Sequence, residues 1–371
     1  MAGNTINNQK IRGKMSDESF INLVMFGALL AFFAIACIFL PNFYRISNII
    51  NLFTNNWYII ILGIGVTFLL ITGNFDMSVG GVIAMTGILA VWFCQAADPT
   101  APDLSRGLGL PYGMAVAMAL AGALVIGAIN AFFIAKLKVA SIIITLGTMS
   151  VSRGIGQIVT QGAQRNVNLP DIFGVAGHVT IAKSEEMVNS EKMIAVISLS
   201  VLIMIFLVVL AVILEKKTVF GRRTYLIGAN PVAAKLSGVK VEKHLTILFL
   251  LSSLLAGITG ILMASEYNSG MYSRATGYEF DALVIALLGG TSIAGGFGSV
   301  LGTVVGALIL AVVNSFVNGM LWPPDLQYIF KGIVAFLAIV AQRFALDIRK
   351  EGFRTYMKSM SQHFALGRRK G

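Results

Sequence analysis

"FINLVMFGALLAFFAIACIFL", residues 20–40, runs from Phe20 to Leu40 without a charged side chain. A helix needs about 20 such residues to cross the hydrocarbon of a bilayer, so this run reads as a membrane span. The whole chain agrees. Its 371 residues are 56% hydrophobic and 12% charged, where ordinary soluble domains are roughly a quarter charged. Nine further apolar runs follow, giving candidate spans at about 20–40, 51–72, 78–96, 112–135, 139–161, 193–214, 244–264, 280–296, 298–317 and 327–343. Gly-rich breaks adjoin the third, eighth and ninth, which fit broken or re-entrant helices equally well. The expected fold is an all-α integral membrane protein of about ten helices. Residues 1–19 form an N-terminal tail, 20–343 the transmembrane domain with a long inner loop at 215–243, and 344–371 a basic C-terminal tail.

Lys and Arg set the orientation, because cytoplasmic loops carry the excess. With the N-terminus inside, the inner segments hold twenty of the 28 basic residues: Lys10, Arg12, Lys14, Lys136, Lys138, seven in 215–243 and eight from Arg343 onward. The outer loops hold Arg45, Arg106, Arg165, Lys183, Lys192 and Arg274, and Arg153 and Lys331 fall within spans. Ten spans with both termini cytoplasmic fit this distribution, and nine or eleven scatter the basic loops over both faces. The net charge of +11 is therefore a topology signal, and no nucleic-acid motif accompanies it. The polar lead before the first span argues for a retained helix and against a cleaved signal peptide. Cys37 and Cys94 give no disulfide framework. His178, His244 and His363 lack metal-ligand spacing.

No G-x-x-x-x-G-K-[ST] loop occurs, so ATP binding by this chain through a P-loop is not expected. "GANPVAAKLSG" (228–238) looks similar, but Lys235 is misplaced and no strand precedes it. No Ser-His-Asp, Cys-His or H-E-x-x-H set is present. The expectation is a non-enzymatic transport protein that binds no cofactor of its own.

"EKKTVFGRRTYLIGANPVAAKLSGVKVEKH" (215–244) is the one long internal loop on the inner side. Asn230 is placed to cap a helix with Pro231 at its first position, and Gly238 to end it. The resulting two turns carry Ala233, Ala234 and Leu236. Either the loop is a solvated basic segment near anionic headgroups, or its helix inserts into a groove on a cytoplasmic partner.

Within that loop, "GRRTYLIGANPVAAKLSGVKV" resembles the coupling segment of bacterial ABC-importer permeases for monosaccharides, the ribose, galactose and xylose permease family. "GNFDMSVGGVIAMTG" is similar to that family's motif after the second span, "ASIIITLGTMSVSRGI" (140–155) to its fifth span, and "GYEFDALVIALLGGTSIAGGFGSVLGTVVGALI" (277–309) to its C-terminal signature. The likeness covers about residues 20–345. The N-terminal tail, the long outer loop 162–192 and the basic C-terminal tail depart from it. The resemblance implies a pathway-forming subunit in the bacterial cytoplasmic membrane. It would pair with a second permease chain, identical or related, above a cytoplasmic ABC ATPase that holds ATP and Mg, and beneath an extracytoplasmic substrate-binding protein. Arg222, Arg223, Asn230, Ala233, Ala234, Leu236 and Gly238 would then couple it to the ATPase.

Asp76, in "ITGNFDMSVGGVIAMTG" (71–87), stands between two apolar runs, and an aspartate at the middle of a span costs about 2.5–3.5 kcal/mol on insertion scales. Two structural readings fit it: a helix N-cap in an inner turn, or a stabiliser of a break flanked by Gly73, Gly80 and Gly81, with Asn74 and Ser78 beside it. Contact with the transported molecule is a third, and proton coupling in an ion-driven transporter, through Asp76 or Arg153, a fourth. Asp281 precedes Val284-Ile285-Ala286 much as Asp76 precedes Val82-Ile83-Ala84, a hint of two inverted five-span halves. Gly298, Gly302 and Gly306 form a double G-x-x-x-G suited to close helix packing. Gly289, Gly290, Gly295 and Gly296 cluster as at a break, with the hydroxyls of Thr291 and Ser292 inside it. Thr145, Ser150 and Ser152 share the fifth span with Arg153, which is placed to snorkel. Asn314 and Asn318 lie one turn apart on the ninth. The expected polar pathway thus comprises Asn74, Asp76, Ser78, Thr145, Thr291, Ser292, Asn314 and Asn318. Other small solutes, such as a nucleoside, a branched-chain amino acid or an autoinducer, remain alternatives to a sugar.

Overall fold

The apolar runs wind into helices because a helix satisfies its own backbone donors and acceptors, which lipid cannot do. The structure is a computed structural model describing residues 17–97, 100, 106–166, 169–175, 180–188, 191–323, 326, 329–333, 336–337 and 340. In chain order the helices are α1 (Asp17–Phe39), α2 (Ile46–Thr54), α3 (Trp57–Ile71), α4 (Val79–Cys94), α5 (Tyr112–Ala131), α6 (Ser141–Thr160), α7 (Leu199–Lys217), α8 (Val219–Ala229), α9 (Pro231–Leu236), α10 (Val241–Glu266), α11 (Tyr278–Leu288) and α12 (Val300–Gly319). A π turn, Phe132–Lys136, extends α5.

Among the described residues five helices are long and apolar enough to cross a membrane: α5 with its π turn, α6, α7, α10 and α12. The α2–α3 pair, bent by 52°, makes a sixth, while α1 and α4 have shorter apolar stretches. The chain is a multi-pass membrane protein that is helical apart from, among the described residues, one hairpin, β1 (Thr180–Val188) against antiparallel β2 (Glu191–Ser198). That hairpin occupies part of the long loop 162–192 and moves the start of the sixth expected span from 193 to Leu199. The eighth is corrected more sharply. α11 has 11 residues, about 16 Å at 1.5 Å per residue, roughly half the hydrocarbon thickness. The tails 1–16 and 341–371 and most of the tenth expected span, 327–343, lie outside the described residues, although those described from 326 to 340 are helical.

α3, α4 and α10 form the centre, with α5, α11 and α12 packed around them. The side chains of α3 are buried almost throughout. α6 and α7 present Ile143, Ile158 and Phe206 outward, each more than half exposed, as suits a lipid-facing surface. Lipid is as apolar as leucine, so close fit and hydrogen bonds hold such a bundle together. The α4–α10 crossing shows the fit: a Cβ on Gly87 would lie 2.8 Å from the Gly260 carbonyl oxygen, and one on Gly260 2.4 Å from that of Ile83. The Lys136, Lys216, Lys217, Lys240 and Lys243 side chains belong to helix ends at one end of the bundle, here termed the basic end.

Candidate functional site

At the basic end α3 stops at Ile71, and the chain unwinds over residues 72–78 before α4 begins. Asp76 lies in this unwound segment, 3% exposed. Its Oδ1 accepts the Ser78 backbone N–H at 2.9 Å and the Ser78 hydroxyl. Its Oδ2 accepts the Ser252 hydroxyl of α10 at 2.7 Å. Asn130 of α5 donates to Ser78 Oγ at 3.0 Å, and the Thr148 hydroxyl of α6 to Asn130 Oδ1 at 2.7 Å. The Phe75 N–H donates to Ser141 Oγ at the start of α6. All six of these polar side chains are buried. Ser252 is the twelfth residue of α10, about 16 Å from its first at 1.5 Å per residue. The segment therefore climbs into the bundle.

Asp76 is thus not the α4 N-cap. That position is Ser78, and Asp76 closes a local turn ahead of it. A buried carboxylate is costly unless bonded; here it is met by two hydroxyls and one amide N–H. Asn74 stays local, half-buried, donating to Thr72 Oγ1 at 3.1 Å. The residues that complete the network, Asn130, Thr148 and Ser252, escaped sequence reasoning. The lone amide of Asn130 within an apolar run was a usable signal. Ser252 sits in a plain "LLSSLL" and offered none.

The other expected pathway residues do not join this cluster. Thr145 is buried and back-bonds to the Ser141 carbonyl of its own helix at 2.8 Å. Asn314 and Asn318 lie toward the far end of α12, the first with a buried, unbonded Oδ1 and the second exposed. Thr291 Oγ1 is also buried without a hydrogen-bond partner, whereas Ser292 Oγ accepts the Ala294 N–H at 3.2 Å.

Arg153 finds partners within the chain. It donates to the Ala275 carbonyl and the Thr276 hydroxyl, both at 3.2 Å, and lies 3.7 Å from Glu279 at the start of α11. Lys331 pairs with Asp281 of the same helix at 2.8 Å. The likeness between Asp76 and Asp281 therefore does not extend to their bonds: one precedes a helix and takes neutral donors, the other lies inside a helix and takes a cation.

Between α11 and α12 a second unwound segment, 289–299, carries the Gly-rich cluster. Gly302 and Gly306 press α12 onto α11: a Cβ on Gly306 would lie 2.1 Å from the Ile285 carbonyl oxygen, and one on Gly289 2.3 Å from Gly302 C. Gly298 lies before the N-cap Ser299, outside the helix, and has φ +150. The double G-x-x-x-G thus shrinks to one helical pair, used within the chain.

Beyond α7 the loop 215–243 folds into α8 and α9. Asn230 Oδ1 accepts the Val232 and Ala233 N–H groups, each at 3.0 Å, with Pro231 at the first helical position. Gly238, φ +82, follows the end of α9. Ala234 is buried, while Arg222, Arg223 and Ala233 are exposed. Val232 is 68% and Leu236 85% exposed. A short, well-capped helix so presents apolar side chains outward beside cationic ones.

A model of the family described as branched-chain amino acid transport system / permease component matches residues 48–339. The chain belongs to this family. It is 32% identical to the ribose import permease protein RbsC of Escherichia coli (strain K12) over 313 residues, 84% of this chain and 91% of that protein. It is 33% identical to the L-arabinose transport system permease protein AraH of the same strain, covering 87% of this chain and 89% of AraH. Against its galactose/methyl galactoside import permease protein MglC the identity is 30%, covering 88% and 96%. No solved structure matches. In this permease component the unwound segments and the exposed α9 gather at the basic end, and the family match spans both segments and the α8–α9 pair.

Proposed function

We propose that the chain is the membrane-spanning subunit of an ATP-driven importer and forms the translocation pathway for a monosaccharide. The supporting observation is its likeness, over more than four-fifths of its length, to permeases named for ribose, L-arabinose and galactose. The chain itself supplies no catalysis and binds no cofactor. ATP and Mg belong to a cytoplasmic ABC ATPase that docks on α9, with Val232 and Leu236 as apolar anchors and Arg222 and Arg223 beside them. A second permease chain completes the pathway, and an extracytoplasmic binding protein delivers the sugar. The basic end faces the cytoplasm of a bacterial inner membrane, and both termini lie on that side.

Sugars are neutral polyols, so their route needs hydrogen-bonding groups more than charge. The unwound segments supply them at Asn74, Thr291 and Ser292, and Asp76 pins the first segment through Ser78 and Ser252. The test is reconstitution with the ATPase and binding protein, followed by uptake of labelled ribose, arabinose, galactose and leucine. Uptake of one sugar that requires ATP and resists an ionophore is expected. Uptake by the chain alone, abolished by the ionophore, refutes the importer reading; selective uptake of leucine, a member of the solute class in the family description, refutes the sugar.

A further inference from the structure

α8 touches four parts of the bundle at once. A Cβ on Gly221 would lie 1.9 Å from the Glu215 carbonyl oxygen at the end of α7. Thr224 Oγ1 is 2.8 Å from His244 Nε2 at the start of α10. The Tyr225 hydroxyl lies 2.6 Å from both Glu215 Oε1 and the Gly298 carbonyl oxygen, while Glu215 Oε2 accepts the N–H of Val300, the first residue of α12, at 3.1 Å. At the far end of α8 a Cβ on Gly228 would lie 1.7 Å from the Ile71 carbonyl oxygen and 2.5 Å from Gly296 N. Those last two atoms are themselves joined by a hydrogen bond of 2.7 Å.

The contacts share one geometry. Tyr225 reaches the end of the second unwound segment, and Gly228 reaches both the last residue of α3, which leads into the first, and the middle of the second. At Gly228 main chain meets main chain with no side-chain slack, and packed interiors transmit displacement instead of absorbing it. Asn230 ends α8 and caps α9, so a push on exposed Leu236 passes directly into α8.

We propose that Tyr225 and Gly228 are positioning residues through which α8 moves both unwound segments as one body, so that the Asp76 segment and the Thr291 turn change position together. The proposal rests on the importer reading and assigns the residues of this chain that convert docking into a pathway change.

The test uses the full chain in proteoliposomes with its ATPase and binding protein. Tyr225→Phe removes one oxygen and keeps the ring. We expect ATPase recovery on purification and thermal stability near wild type, with sugar taken up per ATP hydrolysed down about tenfold. An unchanged ratio, or a fall in uptake explained wholly by lost stability, overturns the proposal. The second measurement joins Ala229→Cys to Gly296→Cys in a chain lacking Cys37 and Cys94, since a Cβ on Gly296 would lie 3.3 Å from Ala229 Cα; Gly296 has φ +75, so the reduced double variant is the reference, and disulfide formation is verified by loss of free thiol. Oxidation by copper phenanthroline should leave uptake intact, because the joined parts travel together. Loss on oxidation, regained on reduction, overturns the proposal. A wild-type complex without ATP-driven uptake instead overturns the importer reading, and the coupling role with it.

Discussion

Replacing Asp76 by Asn and by Ala separates a structural carboxylate from a titrating one. The carboxylate accepts three hydrogen bonds, from Ser78 N, Ser78 Oγ and Ser252 Oγ. In Asp76→Asn the amide oxygen keeps both Ser78 bonds, and the new amide group donates to Ser252 Oγ, whose proton turns to a carbonyl one turn back along α10. Stability should therefore change by less than about 1 kcal/mol, because no polar group is left unmet. Asp76→Ala removes all three bonds from a buried site. At about 0.6–1.5 kcal/mol each, from the membrane and general ranges, the loss is roughly 2–4 kcal/mol. Unfolding in a graded dodecyl sulfate series measures both variants, and ATP-driven uptake in proteoliposomes measures their function. The expected result is an Asn variant that is stable and transports at close to the wild-type rate, beside an unstable Ala variant. A folded Asp76→Asn protein without transport would refute the reasoning, because it would show that the charge or its proton is used in the cycle.

Gly306→Val places methyls where the Ile285 carbonyl stands and should cost roughly 1–3 kcal/mol by overpacking, visible as reduced thermal stability on size exclusion. Leu236→Asp should leave stability unchanged, because the side chain is 85% exposed, yet abolish co-purification of the ATPase; full recovery of the ATPase would remove α9 as its docking helix. Arg153→Ala leaves Glu279 buried without its cation and should lose about 1–3 kcal/mol, discounted for the partial exposure of the arginine. The double variant with Glu279→Gln should regain part of that loss, and strictly additive losses would show that the pair does not interact.

The membrane class, the places of most helices and the ends of α9 were legible in the sequence, because each depends on local chemistry. A long uncharged run facing lipid is driven to helix by its own backbone groups. Asn230, Pro231 and Gly238 act within one turn of the helix they bound. The fate of Asp76 was not legible, since its partner Ser252 lies 176 positions away in a run with no polar pattern. Nor did hydropathy separate α11, a half-length helix, from a full span, because Ala, Gly and Ile have similar hydropathy whether they continue a helix or turn at its end. Gly298 matched a packing repeat by spacing, and the position of the Ser299 cap put it outside the helix. Local composition determined which segments enter the membrane; only the tertiary structure decided where the helices break and which buried polar groups meet there, because those energies depend on partners distant in the chain.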